Sequence, residues 1–476
     1  MIEPLLSPWT GGLCVLGYAG LMIALALLWG RRSGDDKDSF LLASRGVGVG
    51  SGALSIAATW IWAPALFLSA QKAYTEGVAG LFWFTAPNVL CLILFAWFAR
   101  RARRLAPRGF TLSAFMRDRH GAAVHGAYVV ELVGLSTCSF GVQLLAGGGV
   151  IAALTGLPYL GVTAAMALAA LAYSVVSGLR ASVITDVAQM LLILTVSAGV
   201  VPWAVSRAGG LDAVIAGLGG VTGQYGSPFS SASAPLALSF GLPVTIGLLS
   251  GPFGDQAFWQ RAFAMRESAV APAFVWGALL FAVVPLTLSL LGFSAAGMGL
   301  IVEDPSRVNV AVVAELLPRW ALVPFVIMLL SGLSSTLDSC LCAVSSIAGH
   351  DPARAPRSHG WRRRALVAMT VLAAGAWGLA AVPGLTVLHL FLFYGILRAS
   401  TLLPTVLTLL GIGLPSRWVF WGIVGSMGVG LPVFAHGNLS GSTTGIVAGA
   451  LAGMLPAGLV PLLARSLDRR TGGPRA

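Results

Sequence analysis

The chain has 476 residues, of which 57% are hydrophobic and only 10% charged, and its mean hydropathy is +0.87. No water-soluble globular domain is built this way, and apolar runs recur along the whole length, as in a polytopic helical membrane protein. A formal charge of +12 would suit a nucleic-acid binder, but the basic residues stand in clusters between apolar runs, which excludes a nucleic-acid partner and makes the charge a signal of topology facing anionic lipid headgroups.

The predicted spans, in chain order, are 11–30, 48–72, 78–99, 122–154, 157–178, 181–205, 236–256, 269–296, 321–349, 365–383, 385–411, 417–435 and 443–464. The expected fold class is therefore an all-α polytopic membrane protein with about 13 transmembrane helices in a single transmembrane domain. Met1 to Trp9 carries no basic residue and lacks the n-region of a signal peptide, so the first run is expected to remain as a span. With the N-terminus outside and the C-terminus cytoplasmic, 24 of the 29 basic residues fall in inner loops, at 31–45, 100–119, 180, 261–266, 354–364, 417 and 465–475. That asymmetry predicts an integral multi-pass protein of the plasma (inner) membrane. The Gly/Ser-rich stretch 206–235 reads as an external loop, and 297–320 as one carrying a short external helix.

Two segments invite a break. In Ala57-Ala-Thr-Trp-Ile-Trp-Ala-Pro64, proline removes a helical hydrogen bond and frees upstream carbonyls, which inside a bilayer must find a partner. Pro243, Gly247, Gly251, Pro252 and Gly254 interrupt the run 236–256 in the same manner. Two interrupted helices, one in each half, point to an inverted 5+5 helix repeat with a site at the midplane. The repeats are expected at 48–205 and 236–411, with 1–47 as an additional first helix and loop and 412–476 as two additional helices and a tail.

The segment Ser331 to Asp351 is apolar enough to span, yet Gly332, Ser335, Thr336 and Ser339 recur at helical spacing with Asp338 beside them. Such an oxygen-rich stripe is costly in a membrane unless something binds it, and a hard cation such as Na⁺ prefers oxygen donors. Other ionisable positions have modest structural readings. Asp186 would pair Arg180 or cap its helix, or raise the affinity of a cation site. Asp255 and Arg261 would tie the second break to the following loop. Arg398 would snorkel near the inner end, and Glu131 is a candidate proton-coupling group. The cysteines all lie in apolar runs, and no P-loop, H-E-x-x-H or other enzymatic signature is present, so an enzyme is not expected.

Phe40-Leu-Leu-Ala-Ser-Arg45, the stretch Ala58 to Gly77, Ser177-Gly-Leu-Arg-Ala-Ser-Val-Ile-Thr-Asp-Val-Ala-Gln189, Ser335 to Asp351 and Asp255-Gln-x-x-x-Gln-Arg261 together resemble the sodium:solute symporter family, over roughly residues 35–411. That family includes sodium/proline, sodium/sugar and sodium/sialic acid transporters. The resemblance implies sodium-coupled symport of a small organic solute by alternating access, with Na⁺ as the coupling ion and no obligate protein partner. It implies a sodium site of Ala58, Ile61 and Gly332 carbonyls with Ser335 and Thr336 hydroxyls. A possible additional cation or proton site falls on Asp186, Asp338 and Ser339 together with Ser335. Asp338 stands where a hydroxyl is usual, and a protonated Asp338 would take the ion's place.

Positions that bind sugar in other members fall here on Ala65, Phe84 and Leu248, which argues against a sugar. Trp60-Ile-Trp-Ala63 with Asp255-Gln-x-x-Trp-Gln-Arg261 is similar to the urea-transporting branch. Candidate solute contacts are Trp60, Trp62, Phe84, Asn88, Phe140, Gln143, Phe253 and Tyr394. The alternatives to sodium symport are a proton-coupled symporter of the same fold and a non-transporting membrane sensor on this scaffold.

Overall fold

Inside a bilayer the backbone must satisfy its own hydrogen bonds, so each apolar run closes into a helix. A computed structural model describes residues 4–30, 36–352 and 360–470; Arg31, Arg32, Arg354, Arg357 and Arg475, used in the topology reading, lie outside them. The helices are α1 (Pro8–Leu25), α2 (Lys37–Leu42), α3 (Val49–Trp60), α4 (Ala63–Leu105), α5 (Leu112–Val142), α6 (Gly149–Thr155), α7 (Tyr159–Ser177), α8 (Leu179–Arg207), α9 (Leu211–Ala216) and α10 (Ala234–Leu236). They continue with α11 (Leu242–Leu249), α12 (Gln256–Phe263), α13 (Glu267–Gly297), α14 (Val308–Leu316), α15 (Leu322–His350), α16 (Trp361–Ala380), α17 (Val387–Leu409), α18 (Ser416–Leu439) and α19 (Thr443–Arg470).

Each of the thirteen expected runs falls on helix. Among the described residues, eleven helical stretches are long and apolar enough to cross a membrane. The difference is one of joining and charge. The first broken span shares the 43-residue α4 with its successor, and α16 opens with Arg362, Arg363 and Arg364. Within α4 the chain bends at Glu76 and at Gly77, whose φ is +55°. A side chain at Gly77 would meet the backbone of Leu218 at 2.4 Å, so glycine is required where the 206–235 loop crosses. The expected short helix of the loop 297–320 is α14.

Both expected breaks are present. α3 ends at Trp60, Ile61 (φ −84°, ψ 84°) and Trp62 (φ −101°, ψ 175°) are not helical, and α4 restarts with Pro64 in its first turn, where the missing N–H is harmless. The second break lies between α11 and α12, over Ser250 to Asp255. Asp255 caps α12 by accepting from the Ala257 N–H at 2.8 Å.

α15 runs through the middle of the bundle, buried at every position from 328 to 347. A helix with no outward face is a core element, so its polar atoms must be satisfied by protein or ligand. α13 lies against the first broken helix with almost no space between backbones: a side chain at Gly292 would sit 2.1 Å from the Ala70 carbonyl oxygen.

The loops assigned to the inside meet one another. Arg45 donates to the carbonyls of Gly109 (3.0 Å) and Phe263 (3.2 Å), Arg103 to Met265 (2.8 Å) and Arg101 to Leu409, and Arg104 pairs with Glu267 at 2.7 Å. The segment leading to these contacts is unusual, because Ala43, Ser44 and Arg45 all have positive φ (49°, 54° and 54°) without being glycine. Asp351, at the end of α15, accepts from Thr111 (2.7 Å), Ser113 (2.5 Å) and His125 (2.9 Å). The loops assigned to the outside also meet one another: Tyr74 donates to the Leu300 carbonyl at 2.8 Å, and Trp203 packs on Trp320.

Candidate functional site

The first break and the hydroxyl stripe of α15 face each other. Glycine at 332 permits the approach, since a side chain there would lie 3.4 Å from the Ile61 carbonyl oxygen and 2.9 Å from Leu66. The Thr336 hydroxyl donates to the Thr59 carbonyl (3.4 Å) and the Gly332 carbonyl (3.5 Å), both long bonds that leave it easily redirected. The Ala58 carbonyl already shares the Ile61 N–H with Ala57, at 3.1 and 3.0 Å. Ser335 behaves differently from its neighbour: its hydroxyl donates to Asp186 Oδ1 at 2.5 Å.

Asp186 does not pair Arg180 at an interface. It is fully buried, and its partner is Arg261, whose Nη2 lies 2.7 Å from Asp186 Oδ2 with both side chains at 0% exposure. Arg261 is thus not a tie from the second break to its loop. Its guanidinium reaches in among the residues expected to form an additional cation or proton site, where it donates to Ser55 (2.8 Å), Ser339 (2.8 Å) and the Ala257 carbonyl (3.1 Å). Ser55 in turn donates to Asp186 Oδ2 at 2.5 Å. Asp338 accepts from Ser182 (2.9 Å), Thr185 (3.2 Å) and Ser339 (3.3 Å) and makes no ion pair among the described residues. The cluster therefore joins α3, α8, α12 and α15 around two carboxylates and one fixed cation. The sequence reading brought Asp186, Asp338 and Ser339 together but missed Arg261, Ser55, Ser182 and Thr185. Arg261 stood among the basic residues assigned to an inner loop, so nothing in the sequence marked it as buried.

Beside the first break lies a cavity of about 770 Å³, which reaches Ser306 and Arg307 of the loop after α13. Trp62 and Phe84 line it, as does Arg398. The Trp62 and Tyr394 rings stack at 5.5 Å and 21°. A small recess of about 10 Å³ adjoins it, sharing Trp62; Trp60, Tyr394, Thr336 and Ser339 also line it, so it links the cavity to the polar cluster. The other expected contacts lie elsewhere. Gln143 accepts from the Ala63 N–H at 2.8 Å and so closes the first break. Phe253 packs edge-on against Phe95, Phe98 and Trp259 and lines none of these spaces. Phe140 is buried outside the cavity, and Asn88 donates to the Phe84 carbonyl at 2.7 Å with Oδ1 unpartnered. Arg398 does not snorkel: it is 1% exposed. Glu131, also buried, has no hydrogen-bond partner on either carboxylate oxygen.

The architecture is shared with solved transporters. A substrate-bound, outward-open Na⁺-coupled sialic acid symporter superposes with a TM-score of 0.77 at 16% identity, covering 96% of this chain and 98% of that one. Among curated sequences, a probable urea active transporter of Schizosaccharomyces pombe is 27% identical over 63% of this chain and 47% of its own length. A urea-proton symporter of Oryza sativa subsp. japonica is 25% identical over 96% of this chain and 70% of its own. The chain thus spans about half of the first relative. The sequence profile of a transporter family, rather than of any enzyme, matches residues 40–422, and the chain belongs to the sodium:solute symporter family.

Proposed function

We propose that this membrane protein is a secondary active symporter that imports a small neutral solute of the urea class, and that protons drive it. The observation that carries the proton reading is the charge balance of the polar cluster. Asp186 and Asp338 supply two carboxylates and Arg261 one guanidinium, all fully buried. A buried charge without compensation is strongly unfavourable, so one more positive charge belongs there when both carboxylates are ionised. A proton on Asp338 supplies it without added volume, and the Arg261 guanidinium already engages Asp186 and Ser339, two groups a second alkali ion would need.

Solute selection rests on the relatives and on the cavity. The relatives are named for urea, and Trp62, which lines the cavity at the break, is backed by the stacked Tyr394 ring. Coupling follows if the proton and the solute both favour the outward-open form together and the inward form apart. The segments 48–205 and 236–411 would be the repeats that rock about the two breaks, with the N-terminus outside and the C-terminus in the cytoplasm of a plasma membrane.

A sodium reading keeps one observation in its favour: the Ile61, Thr59 and Gly332 carbonyls and the Thr336 hydroxyl converge between α3 and α15. Uptake of labelled urea into proteoliposomes decides between the two. With an inward proton gradient, accumulation is expected to persist in choline medium and to vanish with a protonophore. Accumulation that requires sodium, with Thr336→Ala raising the sodium needed for half-maximal uptake, would replace the proton reading with the sodium one.

A further inference from the structure

Arg398 is the one large cationic side chain that meets the 770 Å³ cavity from within the bundle, and its surroundings are incomplete. Its Nε and Nη1 have no hydrogen-bond partner, although the residue is 1% exposed. It makes no ion pair among the described residues; Glu131 and Asp255 are near it, but Glu131 stays unbonded and Asp255 is occupied in capping α12. The guanidinium carbon lies 4.3 Å from the centre of the Tyr394 ring, and Tyr394 stacks on Trp62, so the three groups are neighbours at the first break. Glycines leave room for the side chain: a side chain at Gly254 would come within 2.6 Å of Arg398 Cβ, and one at Gly247, which also lines the cavity, within 3.5 Å of Nη2.

A planar fork with two unfilled, buried donors at the wall of a cavity is suited to bind an oxygen acceptor that displaces its neighbours there. We propose that Arg398 is a specificity-determining residue of the solute site: its free N–H groups donate to the carbonyl oxygen of a neutral amide solute, and its charge excludes amine and amidinium cations. This rests on the solute reading above and deepens it. Leaving buried donors unfilled is costly, so a solute that offers a carbonyl oxygen gains what one offering only N–H groups cannot. A cation placed against the guanidinium also meets like charge in a dry site.

Urea and the guanidinium ion form a matched pair for the test. They are planar and nearly equal in size, but one presents C=O and the other a positive C–NH₂ group. The experiment measures labelled-urea uptake in proteoliposomes and its inhibition by unlabelled urea and by guanidinium, for wild type, Arg398→Gln and Arg398→Lys. Wild type is expected to prefer urea over guanidinium by at least about 100-fold. Arg398→Gln should raise the urea concentration for half-saturation at least about tenfold and should narrow the preference at least about tenfold, because the repelling charge is gone. That appearance of guanidinium inhibition is a gain that a misfolded protein cannot produce. Arg398→Lys keeps the charge but loses the fork, so it should retain the exclusion of guanidinium while binding urea more weakly.

Urea uptake with wild-type half-saturation and wild-type discrimination in Arg398→Gln overturns this inference and leaves the solute reading standing. If Arg398→Gln yields no folded protein, wild-type urea affinity in Arg398→Lys overturns it equally. Wild-type protein that neither transports nor binds urea overturns the solute reading, and this inference with it.

Discussion

Arg261→Met is expected to destabilise the protein by roughly 3–5 kcal/mol, because it strands the Asp186 carboxylate in a dry interior. The loss would be seen as a large fall in the thermal midpoint of the purified protein in detergent. The wild-type contacts explain the size: Arg261 serves Asp186, Ser55, Ser339 and the Ala257 carbonyl at once, so it is the knot between α3, α8, α12 and α15. Asp186→Asn in the same background should recover much of the loss, since two neutral groups need no counter-charge. The double-mutant cycle isolates this coupling from the packing of the two side chains. A single Arg261→Met variant as stable as wild type would show that Asp186 is not held as an ion in this cluster.

Asp338→Asn is expected to uncouple transport rather than to unfold the protein. The amide is isosteric; its oxygen can accept from Ser182, and its NH₂ group can donate to the Thr185 oxygen once that hydroxyl turns its proton from Asp338 to the Ala181 or Ser182 carbonyl, each 3.0 Å away. The cluster then carries one carboxylate and one guanidinium, neutral without any proton. In proteoliposomes, concentrative uptake driven by a proton gradient should fall to simple equilibration, while exchange of labelled for unlabelled solute continues. The reason is that a driving ion contributes only through its different affinity for the two states. Accumulation that survives Asp338→Asn would place the coupling proton elsewhere, with Glu131 the next position to test.

Which parts of this molecule could be read from the chain follows from what each residue's physics demands locally. The spans were legible because a bilayer imposes length and apolarity, and the breaks because Pro64 and the cluster Gly251, Pro252 and Gly254 remove or weaken helical bonds where they stand. The hydroxyl stripe of α15 was legible as a period. Arg261 and Arg398 were not. A long cationic side chain inside an apolar run has two physical solutions, reaching for the interface or finding a partner across the bundle, and only the packing decides between them. Here Arg261 lies on α12, directly beyond the second break, and can cross to α8. Arg398 on α17 is turned inward against Tyr394, away from any headgroup. Gln143 was misread for a related reason: its amide oxygen answers to the Ala63 N–H left bare by the first break, a demand that is created only once the helix is interrupted.

The three left-handed residues at Ala43, Ser44 and Arg45 give the inner surface something like a cocked spring. Each L-residue in that conformation is disfavoured by about 1–2 kcal/mol, and the turn is held by Arg45, whose Nη1 donates to both the Gly109 and Phe263 carbonyls while Nε and Nη2 bind Asp38. The two carbonyls belong to different segments, so the turn is held only while those segments stay together. Any opening that parted those carbonyls would recover part of that backbone cost, which would offset some of the bonding lost on the cytoplasmic side.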